Sequence, residues 1–439
     1  MYRNKGTITV FLSLISMLFL SLFCTMAESV RVQAARFQAA AAFDMGLFSI
    51  FGEYDRVLLE EYDLWFLDGS SEEQKIREVL ETKLEKYIQP NINPRYNLAA
   101  GRSWDVFPTE LDRCTVDKYA LATDHGGQVF YSQAVENQKE LFVGEAASAL
   151  KKNIKQMEEG HQKGEEYQNE EQKADEEYQR AQAAQMEEKK RQESEKENAE
   201  KQEKSDTDIK ETEAVQAKVE NPLDQIKKIK SMGILGLVLK DGTVFSDKTI
   251  ESKNLPSERN LQKGSLLVNE ISADPVSEAI FLNYLQKHFQ CAIDEGGKHQ
   301  KGSKEHSLSY ELEYIIGGQK SDRENLKKTV NRILLIREGM NYATLAKSAK
   351  MRGEAMALAA AITGAAALPE FAGALQKLLM LAWAYGESLL DVRTLLAKGK
   401  VPMLKAETEW KLPLEKLGML AEVLKECDAG GGNGQSYED

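Results

Sequence analysis

The stretch SDRENLKKTVNRILLIREGMN (321–341) opens with a capping box, because Ser321 stands three residues before Glu324. In a capping box the serine side chain accepts a hydrogen bond from the backbone N–H three residues on, and the glutamate bonds back to the serine N–H. The stretch therefore predicts a helix from Asp322 to about Asn341, which carries Arg332 and Arg337.

Two further helices are predicted over residues 355–390, which are rich in alanine and leucine. The segment contains Lys377 and Glu387, and charges at bilayer depth are costly, so it is a poor membrane span. We interpret it as two buried core helices joined near Leu368–Pro369.

Charged side chains on these predicted helices can pair with each other. Glu387, Asp391 and Arg393 lie in WAYGESLLDVR (383–393), and they could pair across helices with the arginines of the capped helix. Partial burial between helices would give such ion pairs a structural role and not a catalytic one.

Three segments predict strands. The stretches DRCTVDKYALATDHGG (112–127) and HSLSYELEYIIGG (306–318) alternate in polarity. The stretch ILGLVLKDGTVFSDKTI (234–250) combines an apolar run, an Asp-Gly turn and a short strand. The expected fold class is α+β and predominantly helical, with a small antiparallel sheet packed by helices.

A charged segment interrupts the chain at residues 156–220. Both signs are interleaved, the spacing suits Glu–Lys pairs on a helix, and there is almost no apolar stripe. We expect a protruding helical or partly disordered insertion, which is either a partner-contacting arm or a tolerated surface insertion.

The net charge of -13 is concentrated in this insertion and argues against a nucleic-acid surface. Four cysteines are present, but no CxxC motif. Only Cys114 and Cys291 are placed so that they could pair, and their spacing does not decide whether they do.

One cluster has residue types that bind metals, namely His288, Cys291, His299 and His306. The His–Cys pair would share a helix whose Leu285 and Phe289 mark it as a core element. The loop DEGGKHQKGSKEH (294–306) is typical of a flexible segment, so we predict no metal site.

Glu311 and Glu313 form a second candidate, since both carboxylates would face one side of the predicted strand. Such a pair resembles glycosidase acid–base geometry, but alternating carboxylates are commoner as solvent-facing positions. The sequence also lacks GxSxG, HExxH, Walker and GxGxxG motifs. We therefore predict no catalytic or cofactor-binding residues and a protein that is not an enzyme.

The amino terminus, NKGTITVFLSLISMLFLSLFCTM (4–26), predicts a membrane helix over residues 8–26. About 19 uncharged residues at roughly 1.5 Å each span about 28 Å, close to the hydrocarbon core of a bilayer. Arg3 and Lys5 precede the run and place the amino terminus in the cytoplasm. Cleavage after Ala27 is the alternative to a retained anchor.

An alanine-rich stretch continues this helix into a predicted stalk over residues 27–51, which Gly52 would end. The predicted order of segments is a cytoplasmic leader (1–7), the membrane helix (8–26), the stalk (27–51), an extracellular α+β domain (52–155 and 221–425) split by the insertion (156–220), and a flexible tail (426–439).

The leader, the apolar helix and the sequence ARFQAAAAFD (35–44) together resemble the amino termini of TadE/TadG-like minor pilins of tight-adherence pili. In that family a glycine is followed by three small or apolar residues and Val-Glu-Phe. Here Gly6, Val10 and Phe11 match, and the glutamate is absent. The resemblance implies a leader-processing site at Gly6, whereas the missing glutamate favours retention in the membrane.

Three longer stretches resemble a second family, which consists of membrane-anchored proteins of Gram-positive bacteria and is catalogued as a domain of unknown function. They are GEYDRVLLEEYDLWFLDG (52–69), LSYELEYIIGGQKSDRENLKKTVNRILLIREGMN (308–341) and WAYGESLLDVRTLLAKGKVPMLK (383–405). This resemblance implies an exported, anchored protein near tight-adherence pilus components, and it brings no known catalytic residues.

The expected function is that of a non-enzymatic, single-pass protein of the cell membrane, with its amino terminus cytoplasmic and most of the chain extracellular. It would be pilin-like or would assist assembly of a tight-adherence pilus. Its expected partners are the membrane and other envelope or pilus-assembly proteins, with no nucleic acid and no small-molecule substrate. The alternative is a membrane-anchored extracellular enzyme or ligand-binding sensor.

Overall fold

The structure, a computed structural model, describes residues 5–68, 76–92, 96–98, 102–104, 109–139, 144–200, 221–239, 246–251, 263–266, 274–294, 306–365, 371–427 and 434–437. The chain divides into two compact units. The first comprises Met1–Asn137 and Asn260–Ser272, and the second comprises Gln138–Arg259 and Ala273–Asp439.

The first unit is built around one long helix. Its elements are α1 (Lys5–Phe51), α2 (Arg56–Tyr62), α3 (Ile76–Ile92), β1 (Tyr96–Leu98), β2 (Arg102–Trp104) and most of α4 (Asp124–Lys139). Ala42 and Ile50 of α1 pack against Leu84 and Ile88 of α3. At Gly46 the helices approach so closely that a Cβ would lie 2.5 Å from Cγ1 of Ile88.

The predicted long amino-terminal helix is present as α1, which has no break between the apolar run and the alanine-rich stretch. Among the described residues, the stretch Gly6–Phe51 is the one helix long and apolar enough to cross a membrane, as judged by length and composition. None of its most apolar window is buried against the rest of the protein.

The described residues of the second unit are mostly helical. Its helices are α5 (Gly144–Glu200), α6 (Pro222–Lys230), α7 (Ile234–Val238), α8 (Pro275–His288), α9 (Glu311–Gly317), α10 (Asp322–Lys347), α11 (Ala349–Ala365), α12 (Ala372–Leu396) and α13 (Leu420–Glu426). Two 3-10 turns, Glu407–Glu409 and Leu414–Met419, precede α13.

The centre of this unit is α12, where every residue from 378 to 395 is buried. A helix that is apolar on nearly all sides is stable when other helices surround it. Here α5, α10 and α11 pack around it. The two helices predicted over residues 355–390 are present as α11 and α12, but only α12 is buried on all sides, since α11 buries one face, at Met351, Ala355, Ala359 and Thr363. Their junction lies in residues 366–370, outside the described part.

Helix α10 begins where its capping box predicts. The hydroxyl of Ser321 accepts the backbone N–H of Glu324 at 3.3 Å, and the helix starts at Asp322. It runs to Lys347, six residues beyond the predicted end at Asn341.

The prediction of an α+β fold with a small antiparallel sheet packed by helices is wrong. Residues 112–121 are irregular, residues 234–238 form α7, and residues 311–317 form α9. In the described part of the chain the strands β1 and β2 pair over three residues each, and this ribbon lies in none of the predicted segments. The proposed Asp-Gly turn lies within residues 240–245, outside the described part.

In residues 306–318 the alternation of polar and apolar residues predicted a strand, but side-chain hydrogen bonds give this segment another structure. The backbone N–H groups of Ser309 and Tyr310 donate to the carboxylate of Asp322 at 2.9 and 3.1 Å, so a side chain caps this segment where a strand neighbour was expected. A short helix follows, and Gly318 ends it with a left-handed backbone (φ 61°) that suits glycine.

The charged segment is helical over residues 156–200, the part that the structure describes, and its first part does not protrude as predicted. Tyr167 and Ala174 of α5 are buried, and the Tyr167 hydroxyl donates to the carbonyl oxygen of Leu381 at 3.1 Å. Gly160 and Gly164 precede them at the spacing of one helix face. The buried face therefore exists, but it consists of small residues and tyrosine, which an apolar-stripe search overlooks.

The crossing of α5 and α10 depends on glycine at the contact. A Cβ on Gly164 would lie 2.8 Å from the carbonyl oxygen of Leu335, and a Cβ on Gly339 would lie 2.3 Å from the backbone nitrogen of Gly164. Real Cβ atoms essentially never approach other atoms within 3.0 Å, so any larger residue requires the two helices to separate.

We predict that Gly339→Ala lowers the free energy of unfolding by about 1–3 kcal/mol, the usual cost of overpacking a core. The matched control is Gly353→Ala on α11, where nothing lies within 4 Å of the added Cβ. That change should stabilise the helix by up to about 1 kcal/mol. Urea unfolding of the detergent-solubilised protein measures both, and equal effects would contradict the close crossing.

Candidate functional site

Several ionisable and polar side chains meet in a buried charge network between α10 and α12. Nε and Nη2 of Arg337 donate to Oδ2 of Asp391 at 3.0 and 2.7 Å. Nδ2 of Asn341 donates to the same oxygen at 2.9 Å and to Oγ of Ser388 at 2.9 Å. The predicted pairing of an arginine on the capped helix with Asp391 is confirmed.

A lysine from the chain after α12 completes the network. The ammonium group of Lys405 pairs with both Glu387 and Asp391, and its side chain is only 1% exposed. Glu387 also accepts the backbone N–H groups of Lys411 and Leu412, at 3.0 and 2.8 Å. Arg337 bonds in turn to the carbonyl oxygens of Pro402 and Met403. The network therefore fastens residues 402–412 to both helices.

The four charged groups, Arg337, Lys405, Glu387 and Asp391, balance to zero net charge. Burial alone would raise the pKa of Asp391, but Arg337 and Lys405 outweigh it and hold this pKa below its ordinary value. Buried charges are tolerated only when they are paired and hydrogen-bonded in this way. A carboxylate locked between two cations is a poor general base, so the geometry suits a structural clamp.

A small cavity lies beside the clamp and is closed by a docked segment. It measures about 50 Å³ and is lined in part by Arg337, Met403 and Tyr437. Val401 and Gln435 exchange backbone hydrogen bonds at 2.9 and 3.0 Å. The Tyr437 hydroxyl donates to Oε1 of Glu313 at 2.7 Å. The cavity is too small for an organic substrate.

A second buried carboxylate, Glu338, lies one residue after Arg337 and faces other helices. Burial raises its pKa to about 8, Lys230 opposes the shift, and Glu171 adds to it. Lys230 pairs with Glu171 and lies 4.7 Å from the ring centroid of Tyr385. Glu338 is thus held at the junction of α5, α6, α10 and α12 with an unusually high proton affinity.

The residues of the proposed metal-like cluster have separate surroundings. His288 is buried and contacts Tyr284, with ring centroids 4.5 Å apart and ring planes tilted by 37°. Nδ1 of His306 lies 2.8 Å from Oε1 of Glu311. His299 lies outside the described residues. In the part of the chain that the structure describes, no group of three or more histidine, cysteine or acidic side chains is placed to hold a metal ion.

Glu311 and Glu313 lie on a helix and not on a strand, so their side chains point in different directions. Glu311 accepts the backbone N–H of Gln290 at 2.9 Å. Glu313 is buried and accepts the backbone N–H of Ala292 at 2.9 Å, and burial raises its pKa. Both carboxylates hold the segment after α8, which the sequence did not suggest.

The remaining candidates from the sequence are Gly6, the cysteines and Arg393. Gly6 is exposed in the first turn of α1, where a Cβ would meet nothing within 4 Å. All four cysteines lie in described residues, and none takes part in a disulfide. Arg393 donates to the backbone carbonyl oxygens of Leu237 and Leu239 and not to a carboxylate.

Sequence reasoning missed Lys405, Asn341 and Ser388. Arg337 and Asn341 are one helical turn apart, as are Glu387 and Asp391, so two facing polar pairs were detectable from spacing. Lys405 lies in an irregular segment whose path the sequence does not specify.

We predict that Arg337→Met destabilises the protein by about 3–5 kcal/mol, because removing one partner leaves a buried charge uncompensated. The control is Arg180→Met on the exposed part of α5, where Arg180 pairs with Glu176 at 3.2 Å and its side chain is 81% exposed. Exposed pairs contribute about 0–1 kcal/mol. Urea unfolding distinguishes the two, and a small effect at Arg337 would refute the clamp.

We predict that the free energy of unfolding of the wild-type protein decreases as the pH rises from about 4.5 to about 8. The cause is Glu338, whose carboxyl group binds its proton more tightly in the folded protein than in the unfolded chain. Glu338→Gln should remove the effect. It should raise the free energy of unfolding by up to about 5 kcal/mol at pH 8 and by little at pH 5. The exposed Glu422→Gln serves as control, and parallel pH profiles for all three proteins would disprove the assignment.

The comparisons with known proteins add one match. The family model described as Family of unknown function (DUF5702) matches residues 212–439. This range contains the whole charge network and two of the three stretches that suggested a family of unknown function. No curated protein and no solved structure matches the chain. The family match extends over just more than half of the sequence, and the chain belongs to the Family of unknown function (DUF5702).

Proposed function

We propose that this chain is a non-enzymatic, single-pass protein of the cell envelope, pilin-like or assembly-associated, in a tight-adherence type apparatus. Its amino terminus would lie in the cytoplasm. The part of the first unit that follows the membrane helix, and the whole second unit, would lie outside the cell. The observation that carries the proposal is the unbroken helix α1, in which an uncharged span continues directly into a stalk.

The surface of the stalk supports a role in assembly. Val30, Phe37 and Phe48 are 66%, 78% and 85% exposed, and they lie on the face of α1 opposite the one that packs against α3. Exposed apolar side chains that recur at helical spacing are typical of a face that another helix covers. Ala34 and Ala41 lie between them on the same face, and small residues permit close helix approach.

The same face continues into the predicted membrane segment, where Phe23 and Met26 follow the spacing and are exposed. A partner helix running parallel to α1 could therefore contact it both within and above the bilayer. Asp44 is a charged residue on the stalk part of this face, and it would favour a partner with a basic or polar group at that level.

The specific link to tight-adherence pili and to Gram-positive bacteria rests on the sequence resemblance alone. Gly6, Val10 and Phe11 match the TadE/TadG-like pattern without its glutamate. An apolar side chain at that level suits a helix that stays in the membrane, so we propose an anchored or assembly-associated subunit over one released into a filament.

We predict that a photo-crosslinking amino acid at position 37, incorporated in cell membranes, captures a second helix of a pilus component or of another copy of this chain. The matched control is position 36, since Arg36 is exposed but is turned about 100° around the helix. Position 37 should give several-fold more adduct. Recovery of monomer alone from both positions would exclude the proposal.

A further inference from the structure

The second unit carries an open pocket at the start of α11. Its volume is about 240 Å³, and it is lined by Trp383, Trp410, Leu412 and Pro413, with charged side chains around them. Pockets for drug-sized ligands usually measure about 300–1,000 Å³, so this one fits a single side chain with a short length of backbone.

Two tryptophans form the pocket wall. Their ring centroids are 5.6 Å apart at 76°, an edge-to-face arrangement. Nε1 of Trp383 donates to the carbonyl oxygen of Leu412 at 2.7 Å, which fixes that ring. Nε1 of Trp410 is buried and has no acceptor among the described residues. That nitrogen is enclosed by the protein, so the part of Trp410 that a ligand can reach is its ring.

The charges around the pocket are predominantly negative. Lys350 and Glu354 lie 3.9 Å apart and compensate each other. Glu407 and Glu415 are exposed, and neither forms an ion pair within the described part of the chain. The pocket therefore has two uncompensated carboxylates.

Tryptophan and carboxylate together favour a cation. An ammonium or guanidinium group is attracted to the face of an indole ring and to nearby carboxylates. The Trp410 ring already has such a contact from the protein interior, where the ammonium of Lys405 lies 6.0 Å from its centroid. A neutral sugar could stack on the ring, but it would gain little from the two negative charges.

We propose that this pocket binds a basic, extended segment of a partner protein, with one lysine or arginine side chain against Trp410 and near Glu407 and Glu415. The recognition mode is that of aromatic-lined grooves for extended peptides, with the acidic rim selecting basic sequences. The inference does not depend on the membrane anchor, since every lining residue lies in the second unit.

The test uses the full chain in detergent micelles, labelled with 5-fluorotryptophan. The four tryptophans, Trp65, Trp104, Trp383 and Trp410, give four fluorine resonances, and Trp410→Phe identifies one of them. The probe is acetyl-Pro-Lys-Pro-amide, and its matched control is acetyl-Pro-norleucine-Pro-amide, which lacks only the cation.

The lysine probe should shift the Trp410 resonance with a dissociation constant on the order of 1 mM, while Trp65 stays unchanged. The norleucine probe should bind at least tenfold more weakly. The double variant Glu407→Gln, Glu415→Gln should weaken the lysine probe about tenfold. The double variant Glu422→Gln, Glu426→Gln, which changes net charge equally on exposed sites of α13, should leave binding unchanged.

Three results would overturn the proposal. The first is equal binding of the lysine and norleucine probes, and the second is equal weakening by the two double variants. The third is a Trp410 shift caused by N-acetylglucosamine and not by the lysine probe, which would assign the pocket to a neutral glycan.

Discussion

The second unit depends on the neutralisation of four buried charges. Arg337 and Lys405 face Asp391 and Glu387 at the centre of the helix packing, where an unpaired charge would be too costly to bury. Because the partners come from α10, α12 and the segment after α12, they can all be satisfied only when these three pieces are correctly placed. An apolar core of the same volume could be as stable, so the network is best understood as a constraint on arrangement.

The same physics explains what the sequence could predict. The capping box at Ser321 is local, and the helix begins where that motif places it. Buried carboxylates on an apolar helix require cations, and this requirement predicted ion pairs between the two helices without saying which of the five charged residues would meet, one pair being Arg337 with Asp391. Lys405 could not be predicted, because it reaches the network from irregular backbone. The pocket at Trp410 depends on that same irregular segment and was equally invisible.

Two predictions were wrong because a local sequence pattern was outweighed by contacts of particular side chains or glycines. Alternation at 306–318 indicated a strand, but Asp322 caps the backbone there and a short helix forms. The charged segment looked like a surface insertion because its buried face is made of glycine, alanine and tyrosine. Gly164 and Gly339 let backbones touch, and this packing gains dispersion contacts without any hydrophobic stripe. Hydropathy alone therefore cannot distinguish α5 from a solvated helix over its first half.

The two units differ in where they place side chains that are costly to leave without contacts, and this difference bears on the proposed function. In the second unit, the four charges of the network are buried and paired within the chain. In the first, Phe37 and Phe48 of α1 stay exposed although α3 covers the other face of the same helix. An apolar face that the chain itself does not cover lowers its free energy by contacting a membrane or another helix. The acidic pocket beside Trp410, for which we propose a basic ligand, is a second surface of this kind. An exposed apolar helix face and an acidic aromatic pocket both lie where another molecule can reach them, and they support the proposed role in an assembly.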